Sequence, residues 1–194
     1  MADQQEIREQ SVTIGATRGF VIPRDCVVTI VPAGHRATLV EGQHVTLLQA
    51  LGGTATVTAS DGEMARLTPQ DSIDFGLIEA PTPGTLADGA DFSIDGVWAA
   101  ATTVYDPEIP VDIVELGLVY RVDADELADG TWLVDIDMSV TAPFCGMGDI
   151  MRQDLHDAVA ALPGVAAVKV TLVFDPPWDA SRLSAVARLE LGML

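Results

Sequence analysis

At 194 residues the chain is long enough for one large domain or two small ones, and 48% of its residues are hydrophobic. Ten basic against 29 acidic residues give a formal charge of −19, with Lys169 the single lysine. No basic patch exists for nucleic acid or an anionic membrane to meet.

Residues 1–10 read as a disordered tail. This polar, acidic stretch has neither the basic nor the apolar part of a secretory leader. No uninterrupted apolar run approaches the ~18 residues of a membrane span. The two cysteines, Cys26 and Cys145, form no disulfide framework, so the expected compartment is a reducing cytoplasm. Residues 11–79 read as a β-rich domain. Strands are expected at 27–31, 44–48 and 54–58, separated by Pro32-Ala33-Gly34, Glu41-Gly42 and Gly52-Gly53. Asp61-Gly62 predicts a hairpin between 54–59 and 63–67. Short strands with a turn about every ten residues suggest a small antiparallel, barrel-like unit. Cys26 reads as a core residue of a strand.

Residues 80–92, rich in proline and glycine at Ala80-Pro81-Thr82-Pro83-Gly84, read as a linker. From 93 to 194 the pattern changes to α/β. Ser93 or Asp95 caps a helix running to about Val104, and Asp106-Pro107 stops it. A strand is expected near 118–122. In residues 132–140, Trp132, Val134, Ile136, Met138 and Val140 share one face, and Asp135, Asp137 and Ser139 the other. That period of two marks a half-buried strand. Ile150, Met151, Leu155, Ala158, Val159 and Leu162 then recur at helical spacing, and Pro163-Gly164 closes the helix. With a strand at 167–174 this is a strand–helix–strand crossover, so the two strands should run parallel. A last helix is expected from Asp179 to Gly192, with Trp178 and Leu183 spaced as a hydrophobic staple. The whole reads as an α+β chain whose second half holds a mixed three-stranded sheet and about three helices.

Cys145 is the residue with the most chemical content. It lies in Thr141-Ala142-Pro143-Phe144-Cys145-Gly146, between the strand and the helix. A helix N-terminus favours a thiolate, which is both nucleophile and soft metal ligand, whereas Asp149 one turn later opposes it. A buried, inert thiol is the competing reading. His35, His44 and His156 show no zinc-ligand spacing. His156 lies about 16 Å along the helix from Cys145, too far to serve as its base. No phosphate-binding glycine loop serves a helix; Gly15-Ala16-Thr17-Arg18-Gly19 falls in the β-rich part. Asp106-Pro107-Glu108 and Asp175-Pro176-Pro177-Trp178 read alone as a helix stop and a strand exit. The cysteine loop and the second of these follow the C-terminal ends of parallel strands, the edge where α/β sheets build sites.

Together these segments resemble a family. Residues 104–120, Val-Tyr-Asp-Pro-Glu-Ile-Pro-Val-Asp-Ile-Val-Glu-Leu-Gly-Leu-Val-Tyr, resemble the opening signature of the iron–sulfur cluster assembly domain of the SufT/PaaD type. Thr141-Ala142-Pro143-Phe144-Cys145 resembles its cysteine loop. Asp175-Pro176-Pro177-Trp178 with Ser184-x-x-Ala187-Arg188-Leu189-Glu190-Leu191-Gly192 resembles its C-terminal signature. The resemblance covers residues 93–194, and the β-rich extension before them resembles the SufT subgroup. It departs in two places: Gly146 stands where many members have proline, and Asp112 where asparagine is common.

The resemblance implies a non-enzymatic role in iron–sulfur protein maturation through the SUF system, as cluster carrier, adaptor or targeting factor. It implies that Cys145 is the functional thiol. Asp106, Glu108, Thr141 and Asp149 are the supporting candidates, and Asp175 and Trp178 the partner-binding ones. A transient iron–sulfur cluster or iron is the implied cargo, and assembly machinery and client apoproteins are the implied partners. One thiolate holds no cluster alone, so a homodimer bringing two copies of Cys145 together is expected. A metal-free adaptor and a thiol enzyme with Cys145 as nucleophile stay open beside this reading.

Overall fold

The computed structural model describes residues 18–79, 91–142 and 146–193. The expected tail, all but the last two residues of the expected linker, and Cys145 itself lie outside them.

The first half is a six-stranded antiparallel sheet. Its strands are β1 (Arg18–Val21), β2 (Cys26–Val31), β3 (Arg36–Leu39), β4 (His44–Leu51), β5 (Thr54–Ala59) and β6 (Met64–Arg66), in the order β1-β4-β5-β6-β2-β3. The expected barrel-like form is not found: among the described residues the sheet stays open, with β1 and β3 at its edges. Closure requires the edge strands to pair, and these two have four residues each. The hairpin at Asp61-Gly62 is present, with residues 60–62 between its arms as expected. Gly62, at φ 88°, donates to Ala59 O, while Ala59 donates to Glu63 O. A three-residue loop ending in a left-handed glycine results.

In β2, Cys26, Val28 and Ile30 point into a core shared with Ile22, Leu39, Val45, Val57, Ala65 and Leu67. Cys26 is 5% exposed, as its strand position predicts, and burial pushes its thiol pKa up. Val31 faces the other way and is buried in the core of the second half. A short helix, α1 (Pro69–Asp74), follows β6, although the sequence reading placed none there. Thr68 caps it by accepting from Asp71 N at 3.1 Å, and proline opens it, where its missing N–H costs nothing.

The second half begins with α2 (Ile94–Ala101), capped by Ser93, whose hydroxyl accepts from Gly96 N at 3.0 Å. It ends three residues before the expected Val104. Strands β7 (Val119–Glu126), β8 (Trp132–Met138) and β9 (Val165–Leu172) form a mixed sheet in that order. β7 is antiparallel and β9 parallel to β8, as the crossover predicts. The crossover helix is α3 (Gly148–Ala160), which buries Met151, Leu155 and Val159. Val134, Ile136 and Met138 pack in the same core, so one face of the sheet is covered by helices. The other face carries Arg121, whose guanidinium pairs with Asp123, Asp135 and Asp137 across two strands. Lys169 on β9 joins Asp135 at 2.9 Å, and that ammonium, first among its neighbours, holds the Asp135 carboxyl below its usual range.

The single C-terminal helix expected from Asp179 is in fact two pieces. Asp179 caps a 3-10 turn over Ala180–Arg182, Leu183 is extended with ψ 136°, and Ser184 caps α4 (Ala185–Glu190). The break lets Leu183 bury and lets Ser184 N donate to Glu115 O at 3.0 Å. Gly192, at φ 66°, ends α4, with Met193 N donating to Arg188 O.

Candidate functional site

Three sequence motifs meet at the C-terminal edge of the β8–β9 pair. Ser139, just past β8, donates its N–H to Leu118 O at 2.8 Å, which brings the end of the opening motif beside the start of the cysteine loop. Val173, leaving β9 toward Asp175, donates to Met138 O at 2.8 Å. Trp178 Nε1 donates to Leu116 O at 2.7 Å, so the C-terminal motif closes on the opening one. Arg182 Nε donates to Gly117 O at 3.0 Å, and its guanidinium lies 3.7 Å from the centre of the Tyr120 ring. Gly117, at φ 66°, cannot carry a side chain: an added Cβ would fall 2.8 Å from Arg182 Cβ. Glu115 accepts from the Ser184 hydroxyl, completing the seam.

The cysteine loop leaves this edge at Thr141, which is half-buried, and re-enters the described structure at Gly146. Met147 and Gly148 behind it are buried, and an added Cβ on Gly148 would lie 3.0 Å from Val140 Cγ1. Gly148 at the start of α3 therefore packs against Val140, just past the end of β8. Asp149, in the first turn of α3, is exposed and accepts from Arg152 Nε at 3.3 Å. Asp175 is exposed at the exit of β9.

The acidic pair of the opening motif behaves unequally. Asp106 is 4% exposed, and its Oδ1 accepts from the N–H groups of Glu108 at 2.8 Å and Ile109 at 2.9 Å. Burial raises its pKa above the usual carboxylate range, against the pull of those two bonds. Glu108 is exposed, and its pKa too is raised, by desolvation and then by Asp106. The same turn device recurs six residues on, where Asp112 Oδ1 accepts from Val114 N at 2.9 Å and Glu115 N at 3.0 Å. Asparagine offers the same acceptor atom, so either residue builds this turn. Asp106 thus shapes the loop from inside, while Glu108 presents its carboxylate to solvent.

Among the described residues no group of three or more His, Cys, Asp or Glu is placed to hold a metal ion. His156 is half-exposed on α3 and pairs with Asp157 at 2.9 Å. The sequence reading missed the Glu115–Ser184 and Gly117–Arg182 contacts. A glycine inside an otherwise apolar run was their one visible signal.

Residues 94–172 match the model of a family described as "Iron-sulfur cluster assembly protein". A Porphyromonas gingivalis protein named "Fe-S protein maturation auxiliary factor" is 46% identical over 92 residues, 47% of this chain and 84% of that protein. The chain belongs to the iron–sulfur cluster assembly protein family. Two further members of that family agree. A Bacillus subtilis protein named "Fe-S protein maturation auxiliary factor YitW" is 40% identical over 99 residues, 51% of this chain and 93% of that protein. A Staphylococcus aureus protein named "Fe-S protein maturation auxiliary factor SufT" is 37% identical over 90 residues, 46% of this chain and 98% of that protein. A family member nearly spanned by 90 residues has no room for a second half like the β-rich sheet seen here, so that extension is not shared with this SufT relative. No helix among the described residues is long and apolar enough to cross a membrane.

Proposed function

We propose that the protein works in iron–sulfur protein maturation as a carrier or adaptor rather than a catalyst, with Cys145 the thiol that holds a cluster in transit. The observation that carries this reading is the meeting of all three family motifs at the C-terminal edge of β8 and β9. Thr141 and Asp149 flank the cysteine loop, and Glu108 offers an exposed carboxylate whose raised pKa suits a hard, transient ligand or proton acceptor. Asp106 supports by fixing the turn that presents Glu108. Asp175, exposed beside the same edge, and the outer part of Trp178 face the client or the assembly machinery.

A cluster passed from donor to client is cargo, and few protein thiolates should hold it. One Cys145 per chain then needs ligands from a second copy, a small thiol or the client. A symmetric dimer is the simplest source of a second thiolate. The work belongs in the cytoplasm, where the thiol stays reduced.

Anaerobic reconstitution with iron and sulfide tests the reading, following visible absorbance, iron content and mass by light scattering. The wild type should bind iron and dimerise, and Cys145→Ser should do neither. Equal iron binding by both would overturn the role of Cys145. No iron binding by either, with client capture retained and dependent on Asp175 or Trp178, would favour the metal-free adaptor. Turnover of a small substrate lost in Cys145→Ser would favour a thiol enzyme.

A further inference from the structure

Among the described residues four strands end a sheet, and three of them carry features that keep an edge from pairing. β1 and β3 are four residues long. β7 carries Arg121, Asp123, Asp125 and Glu126, and its ladder slips between Val119 and Arg121. Short length, charge and irregularity are the usual protections of a free edge. β9 is protected far less. It runs for eight residues, Val-Ala-Ala-Val-Lys-Val-Thr-Leu, with Lys169 its single charge. From Ala167 to Leu172 its register against β8 is regular.

A residue in a parallel strand turns its N–H and its C=O to the same side. Val173 N donates to Met138 O, which sets Ala167, Lys169 and Thr171 toward β8. Val168, Val170 and Leu172 therefore turn both groups away from the sheet. Among the described residues no hydrogen bond reaches these three N–H and three C=O groups, and β8 alone pairs with β9. They repeat about every 6.6 Å, the interval between alternate residues of an extended chain. Ala166, Ala167 and Lys169 are exposed along the same stretch.

Donors and acceptors at that interval are what another extended backbone offers, so the fitting occupant is polypeptide. The side chains narrow it further. Val168, Val170 and Leu172 face the helix-covered core, where Val168 and Leu172 are only partly buried. An added strand with apolar residues at alternate positions completes their cover. Lys169 lies on the other face, joined to Asp135, between Ala167 and Thr171, and small polar residues fit opposite them. The chain's charge of −19 draws a segment with basic ends and repels a second copy.

We propose that the free edge of β9 is a docking strand for an extended segment of a partner polypeptide. The segment adds as a fourth strand of the mixed sheet, antiparallel to β9, the more stable pairing per residue. It carries apolar side chains at alternate positions and basic residues at its ends. β9 runs through Val173 into the edge where the three motifs meet, so a strand held on it reaches the candidate site. The inference says how a client or assembly partner is held, and rests on the maturation reading for which partner that is.

The probe is the blocked peptide acetyl-Lys-Val-Thr-Val-Thr-Val-Lys-amide, titrated into the full-length, iron-free protein by calorimetry. Antiparallel addition sets its valines opposite the outward residues of β9, with their N–H groups toward that strand. Methylating the three valine nitrogens removes those donors and should weaken binding at least about tenfold. Methylating the two threonine nitrogens, which face solvent, should change it by less than about threefold. Val168→Pro removes one outward N–H and no bond of the sheet. It should therefore fold, and bind the parent peptide at least about fivefold more weakly. If its urea midpoint shows that it does not fold, the methylated peptides decide on the wild type. No saturable binding of the parent peptide overturns the docking strand, as does equal binding of the parent and valine-methylated forms. Protein that doubles its mass without peptide, and stays single as Val168→Pro, places a second copy on the edge and overturns the choice of partner. No iron is present, so the result is separate from reconstitution. Peptide binding by a protein that takes up no iron leaves the edge standing and removes the carrier reading. Iron uptake without peptide binding does the reverse.

Discussion

Asp106 offers a sharp separation of architecture from chemistry. Its buried Oδ1 holds two backbone N–H groups, those of Glu108 and Ile109. Asp106→Ala leaves both donors without a partner in a nearly closed space. Each orphaned donor costs about 1–3 kcal/mol, and removing a poorly solvated carboxylate returns part of that, so the net loss should be about 2 kcal/mol. Asp106→Asn keeps an oxygen in the same place and should cost less than about 0.5 kcal/mol at neutral pH. The pH dependence has a definite sign. Burial raises the folded pKa above the unfolded value of about 3.9. The wild type is therefore relatively most stable below that value and loses stability as pH rises through the folded pKa, while the asparagine variant does not. Urea unfolding of wild type and both variants, at pH 4 and pH 7, measures all of this. Asparagine should gain on wild type between the two pH values, and alanine should unfold at lower urea than either. If alanine and asparagine unfold alike, the two hydrogen bonds do not hold the loop and the reasoning is refuted.

Gly117→Ala places a side chain at φ 66° against Arg182 and should cost at least about 2 kcal/mol in the same urea assay; a change under 0.5 kcal/mol would mean the seam yields freely. Trp178→Phe keeps an aromatic ring but loses the bond to Leu116 O, for about 1 kcal/mol, and Trp178→Ala should cost about 1 kcal/mol more because the ring is only partly buried. Equal stability of the Phe variant and wild type would show that the indole N–H is as well satisfied by water.

Elements with a strong period were legible in the sequence. The alternation from Trp132 to Met138 and the helical recurrence from Ile150 to Val159 each found their place, because each buries one face in a single core. What escaped lacked a pattern to read. Strands β1 and β3 are four residues each at sheet edges, where pairing with β4 and β2 rather than burial defines them. Thr68-Pro69 was a helix start in plain sight, but six residues give α1 too few turns to show periodicity. The break at Leu183 depends on a bond from Ser184 to Glu115, 69 positions away. The order of the motifs named the family, and the site's local turns follow from Asp-Pro and Asp-x-x spacing. The contact between Gly34 and Gly146 joins segments 112 positions apart, and a lone glycine in each announces nothing of its partner.

The sealed position of Cys26 has a redox consequence. Its side chain lies inside the first core at 5% exposure, with ionisation disfavoured by burial, so it neither attacks nor is attacked while the sheet is folded. With Cys26 withdrawn, Cys145 is the one other cysteine of the sequence on which an oxidant could act. An oxidised Cys145 has no resolving partner within its own subunit, and its sulfenic acid must be met by a thiol from outside. Capture as a mixed disulfide takes one external thiol per chain, with water leaving, and return to the free thiol takes a second, which leaves as the external disulfide.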